Sequence, residues 1–143
     1  MQEFKRVQHE ITDGVPRQHY IPRAVYKFAK QAQDEFPSPG KSRTNAPTLA
    51  DIYYQLTLEG INLIKTNFIE DLEFAEIGRP EGGRFVQIVF DQETNTFLEW
   101  LKSEAENGVY KITPYKEISM ISLAVNLMEY AIKAREKAVT SNS

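Results

Sequence analysis

A strand, a helix, a loop and a second helix recur at a constant offset of 69 positions, with few identical residues but no gap, and that one offset restricts the fold more than any other feature. Phe28 and Phe97, Ile52 and Ile121, and Leu58 and Leu127 are identical pairs at this spacing, as are Gln18 and Gln87, Glu35 and Glu104, and Thr44 and Thr113. The apolar pairs Ile21/Phe90, Leu49/Ile118, Leu56/Val125 and Leu63/Ile132 keep the same step without a gap. A unit of this size cannot bury its own apolar faces, whereas two copies can bury each other's. The chain is therefore expected to be a duplicated strand–helix–helix unit.

The second half gives the clearer local signals. Arg84 to Phe90 is a β-branched and aromatic run behind Gly82-Gly83, which predicts a strand. Asp91 is a good N-cap, and Phe97, Leu98, Leu101 and Ala105 follow at helical steps until Asn107-Gly108 closes the helix. A loop from Val109 to Tyr115 leads to a second helix from about Lys116 to Glu136, with Ile118, Ile121, Val125, Met128 and Ile132 as its core stripe. Leu123, Leu127 and Tyr130 lie off that stripe, so this helix is expected to be buried on more than one face.

The first half repeats the order. Arg17 to Ile21 is a short strand, and Pro22 stands at a helix start that tolerates proline. Val25, Phe28, Ala29 and Ala32 form a helical face that Pro37-Ser38-Pro39-Gly40 ends. A loop from Lys41 to Pro47 precedes a helix that begins at Thr48 and reaches about Asn67. The expected organisation is an N-terminal arm over 1–14, a first unit over 15–67, a linker over 68–83, a second unit over 84–137 and a disordered tail over 138–143.

These segments together resemble the ribbon-helix-helix family of Arc- and MetJ-type repressors. The resemblance is carried by HYIPRAVYKFAKQAQ and TLADIYYQLTLEGINLIK in the first half, and by VQIVFDQETNTFLEWLKSEAENG and EISMISLAVNLMEYAIKARE in the second. It implies a mainly α fold with one two-stranded antiparallel β-ribbon, built as a tandem ribbon-helix-helix pseudo-dimer within one chain. It also implies DNA as the partner, with the ribbon entering the major groove of a transcriptional or plasmid-type target. Here the loop between the helices is longer than the family's tight turn, and the ribbon is more apolar.

On this reading Gln18 and Gln87 occupy one repeat position on the outer face of the ribbon. Glutamine can hydrogen-bond adenine N6 and N7 together, so these two are the expected base contacts. Lys41, Arg43, Thr44, Lys111, Thr113 and Lys116 precede the second helices, where backbone N–H groups and the helix dipole favour phosphate. Arg17, Arg23 and Arg84 flank the ribbon as further phosphate contacts.

Composition removes other classes. The chain has no cysteine, so disulfides, thiolate zinc sites and cysteine nucleophiles are excluded. His9 and His19 are the two histidines and stand apart from any carboxylate cluster, so neither a metal nor a cofactor is expected. Pro39-Gly40-Lys41-Ser42 lacks the glycine five residues earlier that a phosphate-binding loop needs, since Glu35 stands there. Glu70, Asp71, Glu73 and Glu76 are expected to be the solvated end of a helix, and Trp100 a packing residue. No run is long and apolar enough to span a membrane, and no secretory leader is evident, so a non-enzymatic cytoplasmic protein is expected. A net charge of −3 is unusual for a nucleic-acid binder and favours a rival. That rival is a protein-interaction adaptor, either an antitoxin-like partner or a small helical subunit of a larger assembly, with self-association open to both readings. A plain helical bundle without strands is a third.

Overall fold

The computed structural model describes residues 4–36, 46–66, 72–78 and 82–141. A turn of 3-10 helix at Gln8–Glu10 precedes β1 (Val15–Ile21), α1 (Arg23–Asp34), α2 (Leu49–Lys65), β2 (Glu73–Ala75), β3 (Arg84–Phe90), α3 (Gln92–Glu106), β4 (Lys111–Thr113) and α4 (Met120–Ser141). β3 follows β1 by 69 residues at both ends, and α3 begins 69 residues after α1. None of these helices is long and apolar enough to cross a membrane.

The expectation of a mainly α tandem ribbon-helix-helix pseudo-dimer with a single ribbon does not describe this architecture. β1 and β3 pair antiparallel, but β2 and β4 form a second sheet in which the strands run parallel, Phe74 lying beside Ile112. Both extra strands fall where connections were expected, β2 in the 68–83 stretch and β4 in the loop from Val109 to Tyr115. Phe74 is fully buried against the rings of Tyr110 and Tyr130, which draws this backbone into the protein, where its polar groups need partners. Three residues are too few to show a period, so the sequence carried no strand signal there.

The segment ahead of each ribbon strand is held in the same manner. The Gln55 side chain accepts from Lys5 N at 3.0 Å and donates to Lys5 O at 2.8 Å. Asn126 treats Ala75 alike, accepting from its N at 3.0 Å and donating to its O at 2.8 Å. One carboxamide on each long helix thus mimics a neighbouring strand for the chain that leads into the ribbon. Of the acidic residues expected at a helix end, Glu73 lies in β2 and Glu76 directly follows it, while Glu70 and Asp71 are outside the described residues.

The core lies between the inner face of the ribbon and the crossing of α2 with α4. Ile21, Ile88 and Phe90 come from the ribbon, Ile52 and Leu56 from α2, and Leu123, Val125 and Leu127 from α4. Leu98 and Leu101 of α3 and Val25 and Ala29 of α1 close its sides. Ile121, in the first turn of α4, is only half-buried, contrary to the stripe read from the sequence, although Ile118 just ahead of the helix is fully buried. That helix starts later than Lys116, with the Ser119 hydroxyl accepting from Ser122 N at 3.1 Å as a cap. It also continues through the expected tail to Ser141, carried by the good helix formers Ala134 to Ala138.

Candidate nucleic-acid interface

Alternation along the ribbon sorts its side chains onto two faces. His19, Ile21, Ile88 and Phe90 are buried beneath it. Pro16, Gln18 and Tyr20 of β1 share the outer face with Phe85, Gln87 and Val89 of β3. The register sets Gln18 directly opposite Gln87, with Tyr20 opposite Phe85 on one side and Pro16 opposite Val89 on the other. Gln18 and Gln87 are the one facing pair whose members are also 69 residues apart, so the approximate two-fold axis relating the strands runs between them. Both are exposed, and their amides make no hydrogen bond to another described residue.

The edge of β3 is partly covered. The Gln8 side chain donates to Val89 O and accepts from Val89 N, each at 2.7 Å. Val89 therefore points its backbone groups away from β1, and its pairing with Pro16, which has no N–H, is of the non-hydrogen-bonded kind. Two residues along, the Gln18·Gln87 pair is of that same closer kind, which brings the two amides side by side.

The expected phosphate contacts fare unequally. Arg23 and Arg84 are exposed at one end of the ribbon, where Arg84 lies 4.4 Å from the Tyr26 ring centroid. Arg17 instead lies on the inner side: its Nη2 donates to Asn95 Oδ1 at 2.8 Å, and its Nε is buried without a described partner. It is committed to joining β1 to α3. Lys111 and Lys116 are exposed and Thr113 half-buried, all three on or after β4. Lys41, Arg43 and Thr44 lie outside the described residues.

The helix N-termini expected to hold phosphate are already occupied by carboxylates. At α2, Asp51 accepts from Thr48 N at 2.7 Å, Val7 N at 2.9 Å and Gln8 N at 2.7 Å. Burial would raise the Asp51 pKa, but these donors from Gln8, Thr48 and Val7 outweigh it and hold the group below the usual range. At α4, Glu76 accepts from Ser119 N at 2.7 Å and from the Ser119 and Ser122 hydroxyls at 3.1 and 3.0 Å. Glu106, itself paired with Lys102, accepts from Ile118 N at 3.1 Å. Lys102 and then Ile118 hold the Glu106 pKa below its ordinary value. These carboxylates place negative charge beside the positive ends of the two long helices.

His19 lies directly under the ribbon, fully buried, edge-on to Phe90 at 5.5 Å. Its Nδ1 lies 3.0 Å from Arg17 O and donates to it, which leaves Nε2 buried without a described partner. Burial pushes its pKa down to about 4, so the ring is neutral at physiological pH. Trp100 is half-exposed on α3, where its ring packs on Phe97 at 5.4 Å. Among the described residues no group of His, Asp or Glu is arranged to hold a metal ion.

The sequence reading missed the roles of Gln8, Asp51, Glu76 and Glu106. Asp51 alone announced itself, standing three residues after Thr48 in capping-box spacing. No family model, curated protein or solved structure matches this chain.

Proposed function

We propose that the protein binds duplex DNA by laying the outer face of the β1·β3 ribbon in the major groove, and that it acts as a regulator of transcription or plasmid functions in the cytoplasm without catalysing a reaction. The observation that carries this reading is the pair of unengaged amides, Gln18 and Gln87, facing one another at the centre of an exposed antiparallel ribbon. Such a ribbon fits the major groove, and each amide matches the N6–N7 edge of adenine. Arg23 and Arg84 supply the phosphate contacts at the ribbon end, in place of the carboxylate-filled helix termini.

With those two cations engaged, the logarithm of affinity is expected to fall with the logarithm of salt at a slope of about −2. A fluorescence-anisotropy titration of mixed-sequence duplex DNA over a range of salt tests this. Absence of salt-dependent binding at low ionic strength would remove the DNA reading.

A second reading is a protein-docking adaptor. It is favoured by Phe85, 58% exposed on the outer face, and by the net charge of −3. On that reading the ribbon face seats an apolar surface of a partner, and Phe85→Asp abolishes complex formation while duplex DNA is ignored.

A further inference from the structure

The outer face of the ribbon is two-fold related only at its centre. Moving outward from Gln18·Gln87, Phe85 in β3 corresponds by the 69-residue offset to Pro16 in β1, and Val89 corresponds to Tyr20. The register gathers these mismatched residues so that one end presents two aromatic rings and the other an aliphatic pair. At the aromatic end the Tyr20 and Phe85 rings stand edge to face with centroids 4.5 Å apart, and Phe85 is 58% exposed. Arg84 and Arg23 lie at this same end, where Arg84, Phe85 and Val86 border a cleft of about 460 Å³. At the aliphatic end Pro16 is exposed, but Val89 is only half-buried and hemmed in. Gln8 grips both backbone groups of Val89, and Gly14 sits so tightly there that a Cβ on it would lie 2.4 Å from Val89 Cγ1 and 2.8 Å from Ile11 Cγ2.

We propose that the aromatic end reads a thymine methyl group while the aliphatic end makes no matching contact, so that the protein occupies its DNA site in one orientation only. This rests on the DNA reading above. The major groove presents the C5 methyl of thymine as its apolar feature, and an exposed phenyl ring is a suitable partner for it. A half-buried valine crowded by Gly14 and Ile11, beside the short ring of Pro16, cannot reach as far as the Phe85 phenyl. The central glutamines treat the two DNA strands alike, and the flanks break the tie.

The test uses the full-length chain and duplexes selected from a randomised pool. The expected motif is asymmetric, with adenine near its centre and thymine on one flank. Replacing that flanking thymine by deoxyuridine removes only the methyl group and is expected to weaken binding about fourfold, the worth of one buried methyl. Phe85→Ala is expected to bind both duplexes equally, whereas Phe85→Leu, which keeps an apolar body, retains a preference for thymine. Phe85 is exposed, and far-UV circular dichroism checks that both variants fold. A palindromic motif, or equal losses on substitution at both flanks, overturns the single orientation and leaves DNA binding standing. Failure of the wild-type chain to enrich any sequence or to bind in a salt-dependent manner overturns both.

Discussion

Gly60 of α2 is packed against Leu127 of α4 so closely that a Cβ built on it would lie 2.3 Å from the Leu127 carbonyl oxygen. The two long helices meet here because one of them carries no side chain at the crossing. In an isolated helix, glycine to alanine would stabilise by about 1 kcal/mol. In this protein Gly60→Ala is expected to destabilise, by roughly 1–3 kcal/mol, because the obstacle is backbone and the helices must separate. A raised urea midpoint for this variant would show that the crossing yields freely.

Removing a side chain from the centre of that crossing should cost more than removing one at its margin. Leu127 is fully buried and Ile121 only partly. Leu127→Ala is expected to lose roughly 2–5 kcal/mol, and Ile121→Ala less than half as much. Equal losses in denaturant unfolding would place Ile121 inside the core after all.

The difference between those two residues marks how far the sequence could be read. Ile121 lies on the correct helical face, so periodicity identified it, but periodicity does not reveal how deeply each position is buried. β3 was legible as a β-branched and aromatic run behind Gly82-Gly83, and β1 as the short stretch 69 residues earlier, although β1 begins two residues before Arg17. β2 and β4, with three residues each, are defined by pairing partners far away in the chain. The outer position of Gln18 and Gln87 followed from a strand period of two with Ile21 and Phe90 turned inward. Of the carboxylates at the helix termini only Asp51 carried a local signal, since Glu76 reaches Ser119 across 43 residues of sequence.

His19 makes stability depend on pH in a window set by its own shift. Its ordinary value of 6.5 applies in the unfolded chain, and burial lowers it to about 4 in the fold. Between these values the unfolded chain binds more protons, so stability is complete above pH 6.5 and falls as pH drops toward 4. The loss at the lower limit is about 3 kcal/mol. In His19→Leu the decline between pH 6.5 and 4 should be smaller by about that amount. Urea unfolding at pH 7 and pH 4.5 measures it, and parallel declines in variant and wild type would discount the buried imidazole.

Asp51 ties the N-terminal arm to α2, since a single carboxylate serves both the helix cap and the Val7 and Gln8 amides. Asp51→Ala is expected to cost about 2–3 kcal/mol. Hydrogen exchange should quicken at Val7 and Gln8 more than at the ribbon. Its folded pKa is depressed, so the stabilisation is present above the ordinary carboxylate range and is lost as pH falls through the folded value. Unchanged exchange at the arm amides would mean that Phe4 and Gln55 hold the arm unaided.

The two classes of proposed DNA contact should part on mutation. Gln87→Ala is expected to cost about 1–3 kcal/mol on the preferred site and little on random DNA. Arg23→Ala should weaken binding to every sequence alike and reduce the salt slope by about one ion. A competition assay against specific and random duplexes separates these outcomes, and a Gln87→Ala loss that is uniform across sequences would remove its role as a base contact.

The pairing of β1 with β3 also sets an order of events during synthesis. At ordinary translation rates of 5–20 residues per second, the 69 residues between counterpart positions take roughly 3–15 s to emerge. The strand that must wait is the polar one, with Arg17, Gln18 and His19 at its middle, which is poorly suited to sticking to other nascent chains. The strand that arrives last is the aggregation-prone Phe85 to Phe90 run, and it meets a partner already made. Had the two strands been coded in the opposite order, the more hazardous one would have spent those seconds exposed on the ribosome.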